Sequence, residues 1–271
     1  MHTELKMMPI LLPALLSTAI AEYIPLPCNQ VQNIHSIQPG HGNTVIIQNC
    51  HNTSINIFNP VRTFITSLLL VNMTNLQLVL GPQSFSNIGQ LVIIQSSLVG
   101  DVSFLTKTGA DLTVENCTFH DNVAIYSLNK QMTSFYFIEN IFNGGVEIFM
   151  KHVIDTKLKR NEGRSWLIMR ENLFKKQPRV YSEKMGVIFH QNRVHIPTIS
   201  IVATIIAPSH VNITDNVFET ESASKFGFRD YLMLEKKLDD VSDVFDIGNV
   251  DNYGYDLIKN NILVTYYKNS V

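Results

Sequence analysis

Leu112-Thr-Val-Glu-Asn-Cys-Thr-Phe119 and Phe135-Tyr-Phe-Ile-Glu-Asn-Ile-Phe142 obey one rule: apolar, any, apolar, two of any kind, a small or amide residue, any, apolar. Leu167-Ile-Met-Arg-Glu-Asn-Leu-Phe174 and Val211-Asn-Ile-Thr-Asp-Asn-Val-Phe218 repeat it, as do Val187 to Val194 and Val92 to Val99. Placing the amide position at Cys50, Met73, Ser97, Cys117, Asn140, Asn172, Asn192, Asn216 and Asn261 fills the three apolar columns at 24 of 27 sites. A 45% apolar composition would fill about 12 by chance. The three exceptions are Asn52, Asn75 and Asp256.

Alternate residues of a strand face one side, so the first two apolar columns enter a core, the chain bends, and the third enters from the next strand. Most steps between amide positions are 20 to 24 residues, the length of one solenoid coil. An inward Asn at the bend can bond backbone groups freed from the strand ladder and can stack on the Asn one coil away. The reading is an all-β, single-stranded, right-handed parallel β-helix of about ten coils, on the order of 45 Å long. Leucine-rich repeats share the period but need a Leu-x-x-Leu-x-Leu run throughout, and an antiparallel sandwich needs hairpin signals that are scarce here.

Bends with an amide ladder, over most of residues 45 to 263, resemble the right-handed parallel β-helix of the pectin-lyase-like superfamily. The resemblance is one of architecture. Polygalacturonase-like members carry Asn-Thr-Asp, Asp-Asp, Gly-His-Gly and Arg-Ile-Lys in that order. Here Gly40-His41-Gly42 precedes the first coil and reads as a turn after Pro39, Asp239-Asp240 falls late, and the other two motifs do not occur. Pectate-lyase-like members use clustered Asp residues for calcium and an Arg base. The nearest equivalent is the outward column just before the amide, with Glu139, Glu171 and Asp215 as candidate catalytic carboxylates on neighbouring coils. The same column reads Asn49, Asn72, Ser96, Asn116 and Asn260 elsewhere, the pattern of a solvated polar edge.

Lys6 followed by the apolar run Met7 to Ile20, with Ala19-Ile20-Ala21 as a cleavage pattern, predicts a signal peptide over residues 1–21 and a secreted β-helix domain over 22–271. No later stretch has the roughly 20 apolar residues of a membrane helix, so membrane insertion is not expected. Four Asn-x-Ser/Thr tripeptides, at Asn52, Asn72, Asn116 and Asn212, suit a secreted glycoprotein. Of three cysteines, Cys28 and Cys50 are one coil apart and can form a disulfide. Cys50 and Cys117 are three coils apart, beyond reach, which leaves Cys117 a buried free thiol. His120, His190, His195 and His210 lack zinc-like spacing, and neither metal nor cofactor is expected.

Insertions near 151–165 and 219–251 interrupt the coils, and Tyr231, Leu234, Leu238 and Val241 stand at helical spacing within 230–241, predicting a short helix. Residues 151–193 hold eleven basic residues against four acidic, and 219–256 hold ten acidic against four basic. The two segments can dock on each other; alternatively Lys175, Lys176 and Arg179 can bind a polyanion. Nucleic acid is not expected as a partner, because no aromatic platform is interleaved with the charges. The functional expectation is a secreted, non-catalytic extracellular binding or structural component of a glycan-rich matrix or barrier, its partner an extracellular protein or acidic glycan. The alternative is a divergent polysaccharide lyase or glycoside hydrolase acting on acidic polysaccharide.

Overall fold

A computed structural model describes residues 23–29, 44–57, 64–80, 87–106, 111–129, 134–152, 166–182, 186–196, 203–206, 211–220, 232–238, 241–244, 257–259 and 261–265. Their strands form a parallel solenoid with three sheets. The first sheet stacks ten strands, from Tyr23–Pro25 and Thr44–Gln48 through Asp111–Glu115, Phe135–Ile138 and Trp166–Arg170 to Leu257–Lys259. The second stacks seven short strands, from Ser97–Leu98 to Ile262–Thr265, and the third stacks nine, from Ser54–Ile57 to Val241–Val244. Apart from Val241–Val244, each strand pairs in parallel with the strand of a neighbouring turn. Leu112, Phe135 and Leu167 align across the first sheet, and Phe119, Phe142 and Phe174 across the second.

The repeat pattern produces this directly. The first two apolar columns point inward and are buried, as in Leu112 with Val114 and Phe135 with Phe137. The chain then turns through one residue in the left-handed region, at φ 50–58° in Asn49, Asn72, Gln95, Asn116, Glu139, Glu171, Gln191 and Asp215. Asn tolerates that region better than other chiral residues, which accounts for its frequency in this column. The next residue enters the core as the ladder amide. Asn140, Asn172, Asn192 and Asn216 are each at most 1% exposed. The third apolar column follows, and its Phe119, Phe142 and Phe174 stack at 5.0 Å between centroids; Phe189, from the second apolar column, bridges Phe174 at 5.7 Å to Phe218 at 6.4 Å. Burying one such ring stabilises by about 1.5–3 kcal/mol before the stacking contribution.

Four features differ from the sequence reading. The ladder position is Ser96 and not Ser97: Ser96 is 4% exposed and its Oγ accepts the Met73 N–H at 3.1 Å, while Gln95 takes the left-handed corner. Leu91-Val-Ile-Ile94 is apolar at every position, so alternation cannot choose its register; pairing of Leu91 with Leu112 and Ile93 with Val114 does. Six consecutive turns, from Ile88 to Leu238, carry a strand in each of the three sheets, so the complete part of the rod is shorter than the ten coils expected. In the two turns before them a second left-handed corner, at Asn52 and Asn75, replaces the short strand of the second sheet. Asn75 Nδ2 donates to Asn52 Oδ1 at 2.9 Å, and Leu76 enters the core one residue late to bridge Leu98. Asn52 and Asn75 therefore break the pattern because they build a corner.

The fourth difference is the expected helix at 230–241. Leu232–Leu238 is a strand paired in parallel with Ala203–Ile206, and Val241–Val244 folds back on it antiparallel. Leu232 and Leu234 also satisfy strand alternation, so the apolar spacing here fits both periods, and pairing with the last third-sheet strand prevails over local helix propensity. The hairpin gives that strand a partner on its outer side. Gly40-His41-Gly42, His210, Asp239-Asp240, residues 1–21 and most of both insertions lie outside the described residues.

Candidate functional site

The three candidate carboxylates occupy the left-handed corner between the first and second sheets. Glu139 and Glu171 are exposed and sit on adjacent rungs, the Glu139 N–H donating to Arg170 O at 3.0 Å. Glu171 Oε1 lies 3.1 Å from Arg170 Nε, and Asp215 Oδ2 lies 3.4 Å from His190 Nδ1, which also contacts Thr214 Oγ1 at 2.7 Å. Gln191 stands in the same column between Glu171 and Asp215. The carboxylates thus follow one another along a convex edge, each in the position that elsewhere holds Asn or Gln. Among the described residues no three His, Cys, Asp or Glu side chains cluster as a metal site.

Three of the four glycosylation tripeptides begin at such corners. Asn72 and Asn116 are exposed in the same edge as Glu139, and Asn52 is exposed at the second corner. Asn72 Nδ2 donates to Asn49 Oδ1 at 2.7 Å. Asn212 differs: it lies in the strand Val211–Thr214 of the first sheet, half-buried between Ile188 and Leu257 in register, with a fully shielded Oδ1.

Cys28 and Cys50 are joined by a disulfide with Cα atoms 5.5 Å apart, tying the segment after Tyr23–Pro25 to the first ladder position. Cys117 is free and buried, its Sγ 3.2 Å from Glu115 O, and burial pushes its thiol up to about 12. A thiol held that high is not a nucleophile near neutrality.

Lys175, Lys176 and Arg179 are all exposed, the two lysines at the turn between the second and third sheets and Arg179 on the strand Pro178–Ser182. Glu147 neighbours Arg179 in register, so the lysine pair is the stronger positive feature. The expected docking of the basic coils on the acidic segment is seen at one point. Glu219, 4% exposed, receives Arg193 Nη2 at 2.6 Å and His195 Nδ1 at 3.3 Å from the neighbouring strand.

An aromatic column on the third sheet escaped the sequence reading. Tyr126, Phe149 and Tyr181 align in register, each nine residues after its ladder residue Cys117, Asn140 or Asn172; that constant offset was the available signal. Phe149 and Tyr181 stack at 4.7 Å, Tyr126 meets Phe149 at 6.4 Å, and the Tyr126 hydroxyl donates to Glu147 Oε2 at 3.5 Å. Burial and then the Glu147 charge raise the Tyr126 pKa. These rings spend their faces on one another, which strengthens the sheet and leaves little flat surface for a base or sugar.

The fold defines the chain as a parallel β-solenoid with a continuous apolar core. No protein-family model, curated protein or solved structure matches it.

Proposed function

We propose that the chain is a secreted, glycosylated, non-catalytic β-helix of pectin-lyase-like architecture that acts as an extracellular binding or structural component of a glycan-rich matrix or barrier. The observation that carries this reading is the placement of Glu139, Glu171 and Asp215 at left-handed corners. Their column is explained by the backbone of the bend, and two of the three have a partner on their own chain, Glu171 the Arg170 guanidinium and Asp215 the His190 ring. A lyase or hydrolase of acidic polysaccharide would need converging groups around a bound sugar, with carboxylates about 5–10 Å apart across the scissile bond. Among the described residues the three carboxylates follow one another along a single corner and join no cluster of three His, Cys, Asp or Glu side chains. The exposed Lys175, Lys176 and Arg179 give the binding reading its ligand class, an acidic glycan held by long-range attraction.

The polysaccharide lyase or hydrolase remains the second reading, because Glu139 and Glu171 do stand on adjacent rungs. Two measurements separate the readings. On the binding reading, purified protein should be retained on a heparin column and eluted by salt, and replacing Lys175, Lys176 and Arg179 with Gln should abolish retention. The same protein, incubated with an acidic-polysaccharide panel with and without calcium, should release neither reducing ends nor unsaturated products. Product release that disappears in Glu139→Gln or Glu171→Gln would establish the enzyme instead.

A further inference from the structure

Lys175 and Lys176 stand on a three-residue turn between the second and third sheets. Phe142 aligns with Phe174 and Val146 with Pro178, so Asn143, Gly144 and Gly145 lie beside Lys175, Lys176 and Gln177, one rung earlier. Phe119 and Val123 align in the same way, which places Asp121 opposite Gly144 on the rung before that. The rung next to Lys176 is therefore a gap without side chains. Gly144 can carry none, because its Cβ would meet the Asp121 backbone. Among the described residues Lys175, Lys176 and Arg179 form no ion pair, and all three are exposed.

This positive charge is only one turn wide. Towards the N-terminal end of the rod, Asp121 is two rungs from Lys176, roughly 10 Å at the strand spacing. Glu147 stands beside Arg179 and accepts the Tyr126 hydroxyl at 3.5 Å. Towards the C-terminal end, the column of Lys175 continues to His195 and then to Glu219. These carboxylates lie about one Debye length from the lysines, so they oppose a polyanion that runs along the rod axis. Across the rod, the three cations follow one another within a single turn, and Lys175 to Arg179 covers at most about 14 Å of extended chain. We propose, building on the acidic-glycan reading above, that the ligand lies across the rod and not along it. It is a short acidic saccharide segment with two or three anionic groups on Lys175, Lys176 and Arg179, its sugar entering the gap at Gly144 and Gly145. Glu147 is the specificity residue, repelling chains whose next anionic group falls on the preceding rung.

Calorimetric titration of the full protein with size-defined heparin oligosaccharides, from disaccharide to dodecasaccharide, tests this, with circular dichroism confirming that each variant is folded. Affinity should rise up to a hexasaccharide and then gain only the statistical factor of extra starting positions. The salt dependence should correspond to no more than about three released counterions, one for each cation on the turn. Asn143→Asp, an isosteric change beside Lys175, should weaken binding about fivefold, and Glu147→Gln should strengthen it about threefold. Affinity and salt dependence that keep growing with chain length, or no response to either charge change, would overturn the transverse site and leave a polyanion-binding protein. No binding of any oligosaccharide would overturn the acidic-glycan reading together with it.

Discussion

Asn172 Oδ1 accepts both the backbone N–H and the side-chain amide of Asn140, 32 residues earlier, at 2.9 and 3.0 Å, while Asn172 Nδ2 donates to Phe137 O at 2.9 Å. The same set recurs at the next steps, where Asn192 serves Asn172, Asn216 serves Asn192 and Asn261 serves Asn216. The bend frees backbone groups inside the buried core, and the amide column satisfies them rung by rung. Asn172→Ala removes one acceptor and one donor from a buried network. At about 1–3 kcal/mol for each group left unpaired, the variant should lose roughly 2–5 kcal/mol, read as a lower urea midpoint. Asn172→Asp should also destabilise, since it keeps the acceptor and loses the donor to Phe137 O.

Gly144 is irreplaceable for a different reason. A Cβ built there would lie 2.1 Å from Asp121 O and 2.6 Å from Asn122 N, both backbone atoms of the preceding turn. At Gly145 the nearest atom is the Asn122 Oδ1 side chain at 3.3 Å, which can give way. Gly144→Ala should therefore lower the unfolding midpoint by several degrees or prevent secretion, with Gly145→Ala much milder in the same melting experiment.

Cys117 makes stability depend on alkaline pH. Burial holds its folded pKa near 12 against 9.0 for an ordinary thiol, so both states are protonated below pH 9 and no effect is seen there. Between pH 9 and about 12 the unfolded chain releases a proton that the folded chain keeps. Stability is therefore lost as pH rises, by up to about 1.4 kcal/mol per pH unit for this group. Urea titrations at pH 8 and 10 should show a larger loss for the parent than for Cys117→Ser, and a maleimide should label Cys117 only in denaturant. Labelling of the native protein at the denatured rate would contradict the burial.

Glycan occupancy should divide by local geometry. Asn52, Asn72 and Asn116 project from exposed corners, whereas Asn212 is half-buried within a strand of the first sheet. Mass spectrometry of the protein expressed through a eukaryotic secretory pathway should find glycan on peptides carrying the first three and a bare Asn212.

Much of this was readable in the sequence because the same few side-chain roles recur every turn. The buried column at Cys117, Asn140, Asn172, Asn192 and Asn216 appeared at the right positions, and so did the corner that carries Glu139 and Glu171. The register at Ser96 did not, because Leu91 to Ile94 is apolar throughout and only pairing with the next turn selects the inward pair. The strand at Leu232–Leu238 was hidden by apolar spacing that satisfies two periods, with a neighbouring strand deciding between them. The aromatic column needed the turn-to-turn alignment before residues 20 or more apart could be seen as neighbours.

The central claim is that Glu139, Glu171 and Asp215 serve the bend and not a reaction. Replacing all three with Asn, the residue that most readily adopts the left-handed conformation, tests it in a single protein. Urea denaturation should show stability unchanged or raised, by up to about 1 kcal/mol per Glu replaced, with heparin retention intact. An acidic-polysaccharide-cleaving activity present in the parent and lost in the folded triple variant would contradict the account.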